Sequence, residues 1–460
     1  MKRLIHAVVF ALIFAFVLCA CGQTEEEIVP EYEATAGGSD LDGFEAIWGW
    51  SGAEGDTVFG FIPGTANEDR VLQRKKDVEK SLNCAITLYY GDILNTLRAG
   101  IMSGSQLLDL LEGETYSMVV DVRAGNLAGL SSLIDAKNIE KWGTPNMLQS
   151  VIWKNDLFGV VPFAWPDLVY SSTGHVIAVN ENIVSKLALE DPREYLENGT
   201  WTWDRLEECL TAYTFSDGGN IIYGMRTSPS YFAMNMMLSN GVALSVYENG
   251  QVVCGAYTQA GKVALERAKT IYQVTHSDCF VPNVLGGDPE GFINGNFTMY
   301  AAWTSDFLKN TSSIMYRLDN VGILPFPPGP DAKPGVYLSY HEGLPNTIAI
   351  PYNARDLEAS AAILSAMLEP FDDLKTKDDI IDYMTDQIFF DRRDAEVIVN
   401  VTRNTEYGFF REGARGVIES VTKTTTPVST LLESNESVYE QIVEEYMVPH
   451  YLGRVAVYGG

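Results

Sequence analysis

The sequence is poor in histidine and lacks the short motifs that mark several common enzyme sites. Its five histidines are scattered and no His-Glu-x-x-His occurs, so we expect no histidine-built metal site. No Gly-x-Gly-x-x-Gly follows a predicted strand, no phosphate loop ends in Gly-Lys-Ser/Thr, and no Gly-x-Ser-x-Gly occurs. These absences argue against dinucleotide, nucleotide and esterase-type chemistry, and we expect no cofactor.

Positive charge is also scarce. The chain has 32 Lys and Arg against 61 Asp and Glu, which gives a formal net charge of −29. A strongly acidic chain is repelled by nucleic acid and by anionic lipid surfaces, so neither is an expected partner of the folded body. So many acids also form accidental pairs, and composition alone leaves an Asp/Glu pair for glycoside hydrolysis open.

Cysteine is limited to six residues, and none forms a Cys-x-x-Cys pair, so a zinc site is not expected. Four of the cysteines lie in the body of the chain: Cys84, Cys209, Cys254 and Cys279. An exported protein can oxidise such cysteines, and four allow three complete pairings. The sequence does not choose among these pairings, and buried free thiols are an equal alternative.

The first residues have the pattern of an export signal. Lys2 and Arg3 precede an apolar run from Leu4 to Leu18, which is the length of a signal-peptide core and short for a membrane span. The run ends in Leu-Cys-Ala-Cys, the pattern of a bacterial lipobox. We therefore predict a signal over residues 1–20 and lipid attachment to the thiol of Cys21. The alternative is an ordinary cleaved signal with an incidental cysteine.

Residues 21–43 are predicted to be a flexible tether. After Cys21 the segment contains seven acidic residues, no Lys or Arg, and the sequence Gly-Gly-Ser. Such a stretch buries too little apolar surface to offset the entropy of ordering it. The body that follows has roughly 420 residues, which is too long for one hydrophobic core and predicts two lobes.

The body alternates between strand-like and helix-like segments, which predicts an α/β fold. Predicted strands include 44–50, 84–90, 158–162, 176–180, 297–303, 321–325 and 347–350. Predicted helices include 65–83, 121–130 and a long amphipathic helix marked by Val438, Ile442, Val443 and Met447. Within the body, no stretch approaches eighteen apolar residues, so we expect no further membrane span.

Several of these segments, taken in order, resemble the extracellular solute-binding lipoproteins of ABC importers, the larger sugar-binding kind that includes maltose-binding protein. Gly104 and Asp109 resemble the family's S/T-G-x-x-x-D segment with a slightly long insert, and Thr202-Trp203-Asp204 matches a characteristic helix start. The matching segments are 45–50, 101–110, 158–162, 176–180, 202–204, 230–232, 239–241, 247–250, 292–303 and 322–325. Each segment is weak by itself, and their shared order carries the resemblance.

The resemblance implies an α/β, two-lobed periplasmic-binding-protein-like fold of the second type, with a ligand cleft between the lobes. We expect lobe I to comprise 44–174 and 323–370, and lobe II to comprise 175–322 and 371–460. The chain should cross between lobes near Ser172–Ile177, near Gly322 and near Pro370. Ligand would bind in the cleft by hinge closure, and the closed form would dock onto a membrane permease.

The resemblance also places ligand-contacting residues. Trp303 falls where this family stacks an aromatic ring on a sugar, and Tyr231 matches a ligand-facing position. The apolar C–H face of a sugar packs on an indole, while its hydroxyls require polar partners. The alternative for Trp303 is a tryptophan of the core.

Weaker candidates lie on loops or, for Trp48 and Trp50, at the end of the first strand at the presumed cleft edge. They are Trp165, Trp48, Trp50, Glu114, Asp167 and His341. Of Trp48 and Trp50, at most one should touch ligand, and Glu114 falls where the family offers a carboxylate to sugar hydroxyls. For Asp167 and His341 the alternative is a solvated loop residue.

Three functions therefore compete. The first is a non-catalytic, monomeric carrier that is lipid-anchored on the outer face of the cytoplasmic membrane and takes an oligosaccharide to an importer. The second is a lipid-anchored enzyme, most plausibly a glycosidase, and the third is a receptor of the same fold for a peptide or another solute. The ordered segments favour the first over the second, whereas aromatic residues in the cleft separate the first from the third only weakly.

Overall fold

The computed structural model describes residues 40–51, 66–162, 173–282, 284, 287–308, 313–341, 346–389, 391–407 and 414–459. The strands are β1 (Phe44–Trp50), β2 (Cys84–Tyr90), β3 (Leu110–Glu114), β4 (Ile152–Trp153), β5 (Asp156–Leu157), β6 (His175–Asn180), β7 (Phe215–Asp217), β8 (Asn220–Arg226), β9 (Ser245–Glu248), β10 (Gln251–Cys254), β11 (Phe297–Trp303), β12 (Val321–Leu324), β13 (Ser339–His341), β14 (Asn346–Ala349) and β15 (Thr405–Tyr407).

Helices connect and cover these strands. They are α1 (Ala66–Ser81), α2 (Ile93–Ser103), α3 (Thr115–Ala124), α4 (Ile139–Trp142), α5 (Glu181–Lys186), α6 (Pro192–Glu197), α7 (Trp203–Ala212), α8 (Pro229–Ser239), α9 (Gln259–Thr270), α10 (Pro289–Ile293), α11 (Ser305–Leu308), α12 (Ile314–Arg317), α13 (Leu357–Met367), α14 (Lys377–Met384), α15 (Arg392–Arg403), α16 (Ala414–Ser420), α17 (Val428–Glu433), α18 (Glu436–Ile442) and α19 (Val448–Tyr458). None of the described helices combines the length and apolarity that a membrane crossing requires.

Two mixed sheets organise the strands. The first has the order β14-β3-β1-β2, with β1, β2 and β3 parallel and β14 antiparallel to β3. The second has the order β12-β6-β11-β8-β7, with β11 and β8 parallel and β6 antiparallel to β11. The α/β class expected from the alternation of segments is confirmed.

Strand β6 lies between two hydrophobic cores. Successive side chains of a strand point to opposite faces of the sheet. Val176 and Ala178 pack into one core, whereas Ile177 and Val179 pack into the other, and all four are fully buried. The apolar run at 176–179 is therefore explained by burial on both faces of the second sheet.

Strand β12 lies across one of the predicted lobe boundaries. Val321 to Leu324 pairs along its whole length with β6, so the second sheet includes the residues on both sides of the boundary placed between Gly322 and Ile323. The predicted lobe division as a whole stays a prediction.

Two helix predictions also differ from the structure. The helix expected over 121–130 begins at Thr115 and ends at Ala124, because Gly125 takes a left-handed conformation with φ of 74°. The long helix expected near the end is a continuous succession of α18, a π-helical turn at Val443–Met447, and α19. The strand expected over 158–162 is reduced to a bridge between Val160 and Ile348.

Asp109 ties together segments around the first sheet that lie far apart in the chain. Its carboxylate is fully buried and accepts the backbone N–H of Ile47 at 2.8 Å and that of Arg355 at 3.2 Å. The Arg355 guanidinium donates to the same carboxylate through Nε at 3.1 Å and through Nη2. The residue that carried part of the family resemblance therefore joins β1 to the start of the segment that enters α13.

A second tie joins the edge strand β14 to the first sheet. Thr347 lies in β14, and its hydroxyl is 2.6 Å from the hydroxyl of Thr115, which is 232 residues away in the chain. Both side chains are fully buried. The first sheet is therefore complete only when a distant segment of the chain returns to it.

A buried charge network fixes α15 against the second sheet. Asp394 accepts the backbone N–H of Ile323 at 2.7 Å and Arg193 Nη1 at 2.9 Å. Arg193 also pairs with Glu181, Asp191 and Asp391, so four carboxylates share this one guanidinium. Burial, reinforced by the neighbouring acids, raises the pKa of Asp394 to about 7 despite the attraction of Arg193.

We predict that Asp109→Asn lowers the free energy of unfolding by about 1–3 kcal/mol, because a neutral amide leaves buried donors and the guanidinium poorly matched. Urea denaturation of residues 22–460 measures this loss. Asp69→Asn, on an exposed position of α1, is the matched control and should be nearly neutral. Equal midpoints for the two variants would contradict the role assigned to Asp109.

We predict that Asp394 makes stability fall as pH rises from about 4 to about 7. The raised pKa means that the folded chain holds a proton which the unfolded chain releases, so the stabilisation is full below the unfolded pKa of 3.8 and is lost as pH passes the folded value of about 7. Urea denaturation across this range should give a shallower decline for Asp394→Asn than for wild type. Glu396→Gln, exposed on the same helix, should keep the wild-type slope, and parallel curves for wild type and Asp394→Asn would refute the assignment.

Candidate functional site

Trp303 is the last residue of β11, the central strand of the second sheet, and it is half-buried. It lies at the edge of the sheet that the strand ends form. In the ladder it is opposite His175, the first residue of the antiparallel neighbour β6. The two rings lie 3.7 Å apart between centroids, at an angle of 35°. The pairing register therefore places an indole against an imidazole at the sheet edge.

Two further rings complete this group. Tyr231 lies in the first turn of α8, and its ring meets Trp303 edge-on at 5.1 Å and His175 at 4.6 Å. His341, the last residue of β13, meets Trp303 edge-on at 4.7 Å. We call Trp303, Tyr231, His175 and His341 the ring cluster. Three of its members were predicted from the sequence, and segments far apart in the chain bring them together.

His175 is the member that the sequence analysis missed. Its Nδ1 is 3.0 Å from the carbonyl oxygen of Tyr340, and its backbone N–H donates to Ser339 Oγ at 2.8 Å. The residue is only 1% exposed, and burial lowers the pKa of its imidazole to about 3. Because a carbonyl only accepts, the neutral ring carries its hydrogen on Nδ1 and exposes a lone pair on Nε2.

His341 has the opposite arrangement. Its Nδ1 accepts the backbone N–H of Gly174 at 3.1 Å, so a neutral ring carries its hydrogen on Nε2. The one signal that the sequence offered for His175 was its position directly before the apolar run at 176–179. That position does not by itself separate a ligand contact from a packing role.

A cavity of about 410 Å³ adjoins the ring cluster. It is lined by His175, Tyr231 and Trp303 together with Tyr300 and the turn from Arg226 to Ser230. Its cations have acidic neighbours: Arg226 Nε is 3.8 Å from Asp288, and Lys423 Nζ is 3.8 Å from Glu419. The cavity therefore offers aromatic faces and paired charges, a lining that suits an uncharged ligand with apolar faces and polar edges.

Two larger depressions lie elsewhere. One of about 720 Å³ is lined by α7, α9 and the turn Pro328–Pro330, and one of about 560 Å³ is lined by the end of α9 and Thr422–Thr425. Neither contains a residue of the ring cluster. We take the 410 Å³ cavity as the candidate site because it alone among these three is lined by Trp303 and Tyr231, the two residues that the resemblance placed against ligand.

The candidates from the first sheet lie at its carboxyl edge or in its core. Trp50 ends β1 and is 8% exposed, and the exposed Glu114 ends the parallel strand β3, so both lie where ligands bind in such sheets. Both Trp48 and Trp50 belong to the same hydrophobic core, and Trp48 is fully buried there, which favours packing over ligand contact for Trp48. Trp165, Asp167 and Cys21 lie outside the described residues.

No metal or disulfide chemistry emerges in the described part of the chain. Within it, no three His, Cys, Asp or Glu residues are grouped so that they could hold a metal ion. Cys84, Cys209, Cys254 and Cys279 are free thiols there, and burial raises the pKa of Cys209 to about 11 and that of Cys254 to about 12. Such thiols are protonated at neutral pH and act as packing groups.

Comparison with solved structures shows the same two-lobed fold. A sugar transporter from Rhizobium etli in an open conformation has a TM-score of 0.61 and 16% identity, over 86% of this chain and 99% of that one. The cyclic α-maltosyl-1,6-maltose binding protein of Arthrobacter globiformis has a TM-score of 0.59 and 14% identity, over 87% and 99%. An ABC substrate-binding protein of Listeria monocytogenes in complex with cycloalternan has a TM-score of 0.55 and 17% identity, over 87% and 99%.

These likenesses confirm the predicted fold class of a two-lobed periplasmic binding protein. No curated protein sequence matches the chain significantly. The family model of the bacterial extracellular solute-binding proteins, however, matches residues 77–385. This span covers about two thirds of the sequence and includes β3, β6, α8 and β11, and the chain thus belongs to the family of bacterial extracellular solute-binding proteins.

Proposed function

We propose that this chain is the substrate-binding component of an ABC importer and that it captures an oligosaccharide. The observation that carries the proposal is the ring cluster at the sheet edge, where Trp303 lies half-buried beside a cavity lined by further rings. An indole face of this kind packs against the apolar face of a pyranose. The three structural neighbours described above bind or transport sugars by their descriptions, which supports the same ligand class.

In this proposal the chain binds and releases its ligand unchanged. Among the described residues that line the cavity adjoining the ring cluster there is one carboxylate, that of Glu419, which is 3.8 Å from Lys423. Hydrolysis of a glycosidic bond uses two carboxyl groups that flank the scissile bond. This lining therefore favours a carrier over the glycosidase alternative. Hinge closure of the two lobes would retain the sugar, and the closed monomer would deliver it to a permease.

The lobe I candidates fit the opposite wall of such a cleft. Trp50 and Glu114 end parallel strands at the carboxyl edge of the first sheet. A second aromatic ring and a carboxylate at that edge would hold the far face and the hydroxyls of a sugar once the lobes close. We retain Trp50 and Glu114 as proposed contacts and assign Trp48 to the core.

We further propose that the mature chain begins at Cys21 and is anchored there by lipid to the outer face of the cytoplasmic membrane. The support is the lipobox pattern before Cys21 and the acidic, cation-free segment that follows it. That segment would act as a spacer between the membrane and the folded body.

We predict that one sugar series stabilises residues 22–460 and that Trp303→Ala abolishes most of this effect. A ligand at a hundred times its dissociation constant adds about 2.7 kcal/mol of stability. Differential scanning fluorimetry with maltose, maltotetraose, cyclic maltosyl-maltose, ribitol and a set of short peptides identifies the ligand class. Calorimetry should then show affinity reduced roughly tenfold or more for Trp303→Ala, and less for Trp303→Phe, which keeps a ring.

The matched control for this experiment is Tyr316→Ala, which removes an aromatic side chain that is 71% exposed and outside the cavity. It should bind sugar as wild type does. Stabilisation by peptides without any sugar would make the chain a peptide receptor of the same fold. Release of shortened sugar during incubation would make it a glycosidase.

We predict that Cys21→Ala prevents membrane attachment, because the thiol is the proposed site of diacylation. Detergent-phase partitioning of the full chain expressed in a bacterium measures the attachment. Cys19→Ala, two positions earlier, should still partition into the detergent phase. Equal partitioning of both variants would show that Cys21 carries no lipid.

A further inference from the structure

Three buried polar atoms beside Trp303 have no hydrogen-bond partner in the described structure. They are Thr173 Oγ1, His175 Nε2 and Thr304 Oγ1. The three residues are at most 1% exposed. Leaving a buried donor or acceptor unmatched costs about 1–3 kcal/mol, so a folded protein retains such a group only where something offsets the cost.

These atoms belong to one place in the fold. Thr173 and His175 flank Gly174 at the start of β6, and Thr304 follows Trp303 at the end of β11. The backbone N–H of Thr304 donates to the carbonyl oxygen of Gly174 at 3.0 Å, which holds the two strand ends together. Of the three residues, His175 lines the 410 Å³ cavity beside Trp303, whereas Thr173 and Thr304 are not among its lining residues.

The chemistry of these atoms restricts what can satisfy them. The Nδ1 of His175 donates to the Tyr340 carbonyl, so its Nε2 can only accept a hydrogen. A threonine hydroxyl can donate or accept. The ligand group facing this place must therefore include at least one donor, and a carboxylate or phosphate would instead direct a lone pair at Nε2.

The cavity lining disfavours a cationic donor. Arg226 and Lys423 both line it, and Glu419, the carboxylate among its described lining residues, already lies 3.8 Å from Lys423, so an ammonium group would compete with a cation that is already there. A hydroxyl avoids both conflicts, because it is uncharged and can donate to His175. A ring that carries several hydroxyls and an apolar face would also pack on Trp303.

We propose that His175 is the polar residue of the Trp303 subsite, and that its Nε2 accepts a hydroxyl hydrogen from a neutral sugar ring. This inference rests on the proposed function and specifies which residue selects the ligand. In the structure the rings of Trp303 and Tyr231 lie against His175, so the hydroxyl reaches Nε2 as one of these rings shifts. Binding is then coupled to a rearrangement of the ring cluster.

The first test uses two substitutions that separate hydrogen-bond donation by His175 Nδ1 from acceptance by its Nε2. His175→Asn keeps an amide near the Nδ1 position, where it can still donate to Tyr340, but removes the acceptor at the Nε2 position. His175→Gln places an amide oxygen near the Nε2 position. Calorimetry with maltotetraose, or with the sugar of the panel that stabilises wild type most, should show affinity reduced roughly three- to tenfold for His175→Asn and partly restored for His175→Gln.

Monodeoxy derivatives of the same sugar, each of which lacks one hydroxyl, remove the proposed hydrogen bond from the ligand side. The one that lacks the hydroxyl facing His175 should bind wild type more weakly, and His175→Asn should bind it as well as the parent sugar. This non-additive result isolates the contact between the imidazole and the hydroxyl. Wild-type affinity in His175→Asn, or additive losses for every deoxy sugar, would overturn the proposal.

Thr304→Val and Thr173→Val are the matched controls for this test. Each replaces a buried hydroxyl outside the cavity lining by a methyl group of similar size, so the unliganded variant should be at least as stable as wild type. Each should bind sugar as wild type does. Affinity losses in these variants as large as that of His175→Asn would contradict a specific contact at His175.

Failure of the proposed function has a different signature. A wild-type chain that binds none of the sugars would refute carbohydrate capture, and this inference with it. Binding of a peptide instead, with the same loss in His175→Asn, would keep the site but replace the sugar by another hydrogen donor and so overturn the assigned ligand class.

Discussion

The burial of β6 on both faces is the constraint on which the rest of this structure depends. Its alternating side chains belong to two different cores, and its neighbours β12 and β11 are antiparallel to it on either side. A strand in this position tolerates polar side chains only at its ends, because each of its faces is packed. Its polar residues are His175 at the start and Asn180 at the end. The ring cluster accordingly forms at the start of β6, where His175 meets Trp303.

The elements that depend on local patterns could be predicted from the sequence. The alternation over 44–50, the helix start at Thr202 and the apolar run at 176–179 all appear as expected, and the Thr202 hydroxyl accepts the backbone N–H of Arg205 at 3.3 Å. The start of the helix at Thr115 was predicted too late in the chain. Strand β3 ends at Glu114 and the helix begins at the next residue, so no turn residue in the sequence marks the boundary between them. The segment 158–162 has the composition of a strand, but only Val160 pairs with another segment, at Ile348. This pairing depends on the position of a distant segment, which the composition of 158–162 does not reveal.

The candidate site could be predicted only in part, for a related reason. Trp303 and Tyr231 were identified through segments that resemble a family, and His341 through its position on a presumed loop. Their meeting depends on the register between β6 and β11 and on the course of β13, which no local pattern encodes. His175 could not be identified by its residue type, because its role depends on which ring nitrogen faces the Tyr340 carbonyl.

The pairing of β14 with β3 has a consequence for how the chain acquires its structure. The contact between Thr115 and Thr347 closes a loop of more than two hundred residues, and pairings at such separations form slowly. If the chain is exported from its amino end, as proposed above, the edge of β3 has no partner until residues 346–349 have emerged. The first sheet therefore cannot be completed until a late part of the chain is available, and this delay follows from the order of its strands alone. The same delay exposes an unpaired strand edge, so this stage is when the protein is most open to misassociation.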